Sequence, residues 1–165
     1  MIVRNAREAD KPTIHAVIGA AFGRLDEANL VDALHAAGEV LISLVAEHDD
    51  DIVGHVLFSR MWIDTQDGSV NAVALAPVAV RPASQQQGIG TMLIRQGLDA
   101  LRLAGERIVI VLGHPGYYPR FGFSAARTRT LESPFSGPAL MALELEEGAL
   151  HTVRGRVRYP AAFGV

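Results

Sequence analysis

Apolar positions in the first forty residues follow a helical period. After a short strand-like segment, Ile2 to Asn5, apolar side chains recur three and four positions apart as far as Phe22. Asp10 can cap this helix, and Pro12 suits its first turn because a missing N–H costs nothing there. A second amphipathic run from Asp26 ends near Gly38. The pattern predicts one strand followed by two helices.

The period then changes to the longer apolar runs that are typical of strands. Residues 41–47 and 52–63 flank a polar turn, His48 to Asp51, and so predict a β-hairpin. A third run, Val70 to Val80, contains Pro77. Because proline cannot donate a ladder hydrogen bond, we expect this strand to bulge or to part from its neighbour there.

The second half of the chain alternates helix and strand. Gly88 to Ala104 has the pattern of a helix, and Ile108 to Leu112 is wholly apolar, as a buried central strand would be. Two further strands are predicted at 139–145 and 152–159. This order of elements indicates an α/β class (α+β with a mixed sheet), in which helices flank a central, mostly antiparallel sheet. We expect residues 1–165 to form a single domain.

Composition narrows the functional classes. The 165 residues are 49% apolar and 20% charged, as in ordinary globular proteins. A net charge of −3 gives no basic surface for nucleic acid or acidic membranes, and no apolar run reaches the ~18 residues of a membrane helix. The absence of cysteine excludes disulfides, thiolate metal sites and a cysteine nucleophile. The six histidines lack metal-ligand spacing, so no metal is expected, and the predicted location is the cytoplasm.

A glycine-rich turn between a strand and a helix is the first candidate site. After Val80-Arg81-Pro82 comes a polar loop, and the helix begins at Gly88 and Gly90. Helix N-termini carry unpaired N–H groups, and glycine lets an anion approach the backbone. The Rossmann pattern has a third glycine where this chain has Leu93, and the Walker ending is absent. On the glycines alone, an anion site and tight helix–strand packing are equally good interpretations.

The spacing Gln85-x-x-Gly88-x-Gly90 after this strand resembles the acetyl-CoA signature of the GNAT superfamily of N-acyltransferases. The resemblance implies that backbone amides of the turn hold the CoA pyrophosphate and that the pantetheine arm adds to the splayed end of the strand. It assigns cofactor binding to Val78, Val80, Gln86, Gln87, Gly88, Gly90 and Thr91. The family's loop often has a basic residue where this chain has glutamines, so CoA affinity is expected to be modest.

A second resemblance lies in the aromatic segment that follows the apolar strand. In the family a tyrosine precedes a Gly-Phe pair by four residues, and Tyr118 has that spacing from Gly122-Phe123. A phenol near the thioester sulfur can protonate the departing thiolate, so the resemblance implies that Tyr118 is the general acid. Tyr117 is interpreted as an aromatic residue that closes the core.

The general base is not evident from the sequence. Many GNAT enzymes carry an acid on the strand before the signature, but residues 71–80 contain none. Glu27, His55 and His114 are the candidates elsewhere. Glu27 begins the second helix, which lines the acceptor cleft in this fold, although a favourable charge at a helix N-terminus explains it equally well. His55 lies in an apolar strand, where a core histidine is the commoner outcome.

Together, the two motifs predict an N-acetyltransferase that moves an acetyl group from acetyl-CoA directly to an amine. The expected partners are acetyl-CoA and an amine acceptor. No binding to nucleic acid or to a membrane is expected, and a homodimer is compatible with the sequence. Two alternatives remain open at this point. One is a non-catalytic CoA-binding domain on the same fold, and the other is an unrelated α+β binding protein with a purely structural glycine turn.

Overall fold

A computed structural model describes all residues from Met1 to Val165. The principal elements, in chain order, are β1 (Ile2–Asn5), α1 (Lys11–Phe22), α2 (Asp26–Ala36), β2 (Val40–His48), β3 (Asp51–Thr65), β4 (Gly68–Val80), α3 (Ile89–Leu103), β5 (Ile108–Leu112), β6 (Leu131–Glu132), β7 (Leu140–Glu144) and β8 (Gly155–Arg158). The predicted helices and long strands are all present, and β6 is an addition. The last strand is shorter than predicted.

The eight strands form one mixed sheet. Six follow the order β1-β2-β3-β4-β5-β7, while β8 pairs with both β3 and β6. The pairs β1–β2, β2–β3, β3–β8 and β5–β7 are antiparallel. The pairs β4–β5 and β6–β8 are parallel. The predicted mixed α/β class, with a largely antiparallel sheet, is therefore confirmed.

Contacts divide the chain into two compact units, and β3 and β4 contribute residues to both. The first unit comprises Met1–Ser59 and Ala76–Ala100. Its wholly buried side chains come from helices and strands alike; examples are Ile18, Leu34, Phe58 and Leu93. These are positions where the sequence shows helical or strand periodicity, so burial of apolar surface holds this unit together.

The second unit comprises Arg60–Leu75 and Leu101–Val165. One hydrophobic cluster fills it, built from β3, β4, β5, β7 and the C-terminal segment; its members include Met61, Ile63, Ala74, Ile108, Leu140 and Val157. Within this unit β5 lies between β4 and β7, which explains why all but the last of its residues are buried.

The turn of the β2–β3 hairpin is tighter than predicted. His48 pairs with Asp51, so only Asp49 and Asp50 form the turn instead of four residues. Both have left-handed backbone conformations, with φ of 50° and 64°. Two left-handed residues match the twist of a two-residue hairpin, and aspartate tolerates that conformation better than most residues.

Asp10 stands at the N-cap position of α1, but its side chain does not cap the helix. Its carboxylate accepts hydrogen bonds from the Arg4 guanidinium at 2.7 and 3.1 Å and from the Arg7 N–H at 2.7 Å. The bond with Arg4 is the main reason that the pKa of Asp10 falls to about 2. The predicted capping bond is wrong because an ionised donor from β1 binds the carboxylate more strongly than a helix N–H does.

Strand β4 continues through Pro77, and the Ala76–Pro77 peptide is cis. The parallel pairing of β4 with β5 comprises Val73–Val109 and Ala74–Ile110, and so ends three residues before the proline. The strand thus continues through the proline, but it parts from β5 shortly before it, as expected for a residue that cannot donate a ladder hydrogen bond. No helix in the structure is both long enough and apolar enough to cross a membrane.

Candidate functional site

The end of β4 is fastened to β3 by Arg81. Its backbone N–H donates to Val53 O at 2.8 Å, and its Nε donates to Ile52 O at 2.8 Å. Arg81 is the only cationic residue between Val78 and Thr91, and its guanidinium is thus held at the strand. No role for Arg81 is predicted from the sequence, although it is the single cationic residue of the segment.

Alternate residues of this strand end differ in burial. Ala79 is buried, whereas Val78 and Val80 are half-buried. The side-chain amide of Gln85 donates to Val80 O at 3.0 Å, which draws the loop back towards the strand. The predicted binding residues of the strand therefore lie on its less buried face, and Gln85 shapes the loop that follows.

The loop itself presents open backbone. Residues 85–88 are exposed, and both Gln86 and Gly88 have left-handed conformations, with φ of 64° and 81°. A Cβ at Gly88 would meet no atom within 4 Å, so the space beside this backbone is free. Successive amides near left-handed residues form concave sites for anions. The loop therefore fits a phosphate group, and tight helix–strand packing does not account for Gly88.

Helix α3 starts directly at the loop. The N–H of Met92 donates to Gly88 O at 3.0 Å, and Ile89 is buried, which anchors the first turn. The N–H groups of Ile89 and Gly90 precede this bond, where a helix offers donors and the positive end of its dipole. The strand end, loop and helix start together form a cradle of backbone donors suited to a diphosphate.

In the second unit, Tyr118 begins a short 3₁₀ helix, Tyr118–Phe121, that follows β5. Its ring makes edge contacts with Tyr117 at 5.1 Å and Phe123 at 5.8 Å between centroids. Burial, with a smaller contribution from Tyr117, raises the pKa of Tyr118 to about 12. The phenol is therefore protonated at neutral pH, as a proton donor must be.

Glu27 lies in the first turn of α2 and is ion-paired. Its two carboxylate oxygens accept from Arg24 Nε at 2.6 and 3.1 Å, and its side chain is only 13% exposed. A charge at the helix start agrees with the structural interpretation. For Glu27 to act as a base, an amine would have to replace Arg24 at the carboxylate.

The two histidine candidates have different environments. His55 is fully buried, and its Nε2 lies 2.9 Å from Ser43 Oγ. Burial, aided by His35, lowers its pKa to about 3. His114 is exposed, and its backbone carbonyl accepts from the N–H groups of Tyr117 and Tyr118. His55 is thus a core residue, and the only hydrogen bonds described for His114 are those of its backbone.

The predicted residues fall into two groups. The seven predicted cofactor residues lie between Val78 and Thr91 in the first unit. That unit also contains Glu27, whereas Tyr118 belongs to the second unit. No group of three or more histidine, aspartate or glutamate side chains is arranged to hold a metal ion.

Known proteins resemble this chain along most of its length. The model of the acetyltransferase (GNAT) domain matches residues 2–126. The uncharacterized N-acetyltransferase YhbS of Escherichia coli (strain K12) is 34% identical over 166 residues, covering 99% of this chain and 98% of the relative. The structure of E. coli YhbS in complex with CoA has a TM-score of 0.91 at 34% identity, covering 99% of this chain and 92% of that one. A GNAT family acetyltransferase from Brucella melitensis in complex with acetyl-CoA has a TM-score of 0.83 at 38% identity, covering 98% and 97%.

Proposed function

Because the chain belongs to the GNAT acetyltransferase family, we propose that it transfers the acetyl group of acetyl-CoA directly to a primary amine. Family membership confirms the fold and the acyltransferase class expected from the two motifs. The alternative of an unrelated α+β binding protein is therefore wrong. The observation that carries the proposal is the open backbone at Gly88 between β4 and α3.

Acetyl-CoA binding is assigned to the cradle at the end of β4. The diphosphate is held by backbone donors of Gln86, Gln87, Gly88 and Gly90 and by Thr91, and the pantetheine amides pair with Val78 and Val80. Support comes from the left-handed loop with free space beside it, and from similar proteins that hold CoA or acetyl-CoA. The loop residues after Arg81 carry no charge of their own, so they supply backbone dipoles to the diphosphate.

The reaction needs little beyond orientation, because a thioester is already activated. The neutral amine attacks the thioester carbonyl, a C–N bond forms, and the C–S bond breaks as the tetrahedral intermediate collapses. The departing thiolate takes the proton of the Tyr118 phenol, which is protonated at neutral pH. The proton lost by the amine restores the phenol through water, so the products are an amide and free CoA.

Two features of the chain bear on the remaining steps. There is no cysteine, and neither Ser84 nor Ser124 lies in a Gly-x-Ser-x-Gly turn, which favours direct transfer over an acetylated enzyme. Glu27 is the proposed acceptor of the proton that the ammonium form of the amine loses before it attacks, either directly or through water. Its place at the start of α2 and its low exposure support the role, and its pairing with Arg24 makes that role conditional on displacement of the guanidinium.

The proposal is tested by following CoA release with a thiol reagent. Since the chain has no cysteine, all thiol that appears comes from acetyl-CoA. A panel of amines should contain a polyamine, an aminoglycoside, free amino acids and a lysine-containing peptide. We expect at least one amine to be acetylated, with the product seen by mass spectrometry. Binding of acetyl-CoA without turnover of any amine would instead favour the non-catalytic CoA-binding domain.

The cofactor site is tested by a matched pair at Gly88. Asparagine and aspartate tolerate a left-handed conformation similarly and have the same size, so Gly88→Asn and Gly88→Asp differ mainly in charge. A carboxylate ~4 Å from a phosphate opposes binding by ~1 kcal/mol or more, so Gly88→Asp should bind acetyl-CoA about fivefold to tenfold more weakly than Gly88→Asn. Equal affinities by calorimetry would place the cofactor elsewhere.

The homodimer remains a prediction, which light scattering can check.

A further inference from the structure

The ring of Tyr118 lies directly against Gly113, the residue that follows β5. A Cβ on Gly113 would stand 2.2 Å from Tyr118 Cε2 and 2.7 Å from its Cδ2. Real Cβ atoms do not approach other heavy atoms this closely. The space that a side chain would fill at position 113 is therefore occupied by the tyrosine ring.

Neither the Tyr118 ring nor the backbone at Gly113 can move without a cost in free energy. Three further aromatic rings surround Tyr118: Tyr117 and Phe123 make edge contacts, and Phe121 is tilted at 6.2 Å between centroids. On the other side, the N–H of Gly113 donates to Ala139 O at 2.9 Å, which fixes the backbone beside the ring. Moving Cε2 from 2.2 Å to an ordinary contact of 3.4 Å would displace the ring by about 1.2 Å.

From this contact we infer that Gly113 is a positioning residue for the reaction: its missing side chain sets where the Tyr118 phenol stands. This inference rests on the proposed function, in which the phenol protonates the departing thiolate. A proton donor must lie within hydrogen-bond reach of its acceptor. Misplacement of a reacting group by ~1 Å can cost ~10²-fold in rate.

The chain provides a control in the same loop. Gly116 lies three residues further on, and a Cβ there would meet nothing within 4 Å. Neither Gly113 nor Gly116 has a positive φ, so alanine is free of backbone strain at both positions. Gly113→Ala therefore adds a methyl group that meets the Tyr118 ring, whereas Gly116→Ala adds one that meets no other group.

The experiment compares four proteins besides the parent: Gly113→Ala, Gly116→Ala, Tyr118→Phe and the double variant Gly113→Ala/Tyr118→Phe. Acetyl-CoA affinity is measured by calorimetry, and kcat is measured by thiol release with the best amine of the panel. We expect Gly113→Ala to lower kcat by ~10-fold to ~10²-fold while acetyl-CoA affinity stays at the parental value. Gly116→Ala should match the parent. In the Tyr118→Phe background, Gly113→Ala should change kcat by less than about twofold, because the hydroxyl through which it acts is gone.

A spectroscopic measurement of the Tyr118 ring tests its displacement without knowledge of the amine acceptor. With ¹³C-labelled tyrosine the three tyrosines give three sets of ring signals, and Tyr118→Phe identifies the set from Tyr118. Gly113→Ala should shift these signals, because the ring moves relative to Phe121 and Phe123, and Gly116→Ala should leave them in place. Unchanged Tyr118 signals, or a displaced ring with unchanged kcat, would overturn the inference alone. A parent protein that acetylates no amine would contradict the proposed function, whatever the ring does.

If Gly113→Ala by itself prevents folding, the clash can still be assigned. Combining it with Tyr118→Leu removes the aromatic ring from the contact, and folding should then be restored. Failure of that double variant to fold, while Tyr118→Leu alone folds, would show that Gly113 is required for a reason other than the tyrosine, and the inference would be wrong.

Discussion

His55 should make the protein lose stability as the pH falls from neutral. The imidazole has no exposed surface, its Nε2 lies against Ser43 Oγ, and its Nδ1 has no hydrogen-bond partner. Burial, with a contribution from His35, lowers its pKa from 6.5 to about 3. The folded protein therefore keeps His55 neutral at a pH where the unfolded chain protonates it.

The direction and size of the pH dependence of stability follow from proton linkage. Between pH 6.5 and about 3 the unfolded chain binds one more proton at this residue than the folded protein does. The free energy of unfolding therefore falls with decreasing pH, by up to ~1.4 kcal/mol per pH unit, and by about 2 kcal/mol between pH 7 and pH 5. Asp10, whose pKa is lowered from 3.8 to about 2, begins to contribute only at more acid pH.

Urea unfolding at pH 7, 6 and 5 measures this contribution. His55→Gln should lose about 2 kcal/mol less than the parent between pH 7 and pH 5. The slope that remains comes partly from His35, whose pKa is also lowered, chiefly by burial. Ser43→Ala removes the partner of His55 without removing its titration, so it should keep the parental slope. A His55→Gln protein with the same slope as the parent would show that the imidazole is not buried in a neutral form.

Three further outcomes are expected. Tyr118→Phe should bind acetyl-CoA normally and lower turnover by ~10²-fold; an unchanged rate when chemistry limits turnover would remove the phenol from the mechanism. Glu27→Gln should lose turnover at neutral pH and recover it as the pH rises and free amine becomes available, whereas a pH profile identical to that of the parent would favour a structural charge. Gly97→Ala should destabilise the protein by ~1–3 kcal/mol, because its Cβ would stand 2.1 Å from Phe58 Cε2; Phe58→Leu in the same chain should relieve this in thermal unfolding.

The elements of the fold were accessible from the sequence because short-range patterns determine them. Helical periodicity located α1, and continuous apolar runs located β3 and β5. The strand–loop–helix cradle around Gly88 was equally accessible, since its donors are backbone groups and its conformation depends on neighbours in the chain. The resemblance to the family's Tyr/Gly-Phe motif also singled out Tyr118, but it gave no information about what surrounds the ring.

Tertiary structure decided the partners of side chains, because each partner lies in another element or segment that the folded chain brings close. Asp10 has the position of a cap, yet β1 brings Arg4 to it, and an ionised donor binds more strongly than a helix N–H. Likewise Arg81 lies in the segment proposed to bind the cofactor, but its Nε donates to the Ile52 carbonyl of the neighbouring strand. The contact of Gly113 with Tyr118 depends on how the segment after β5 packs, which sequence periodicity does not indicate. The sequence shows a glycine at position 113, and only the structure shows that the Tyr118 ring occupies the space that a side chain would fill.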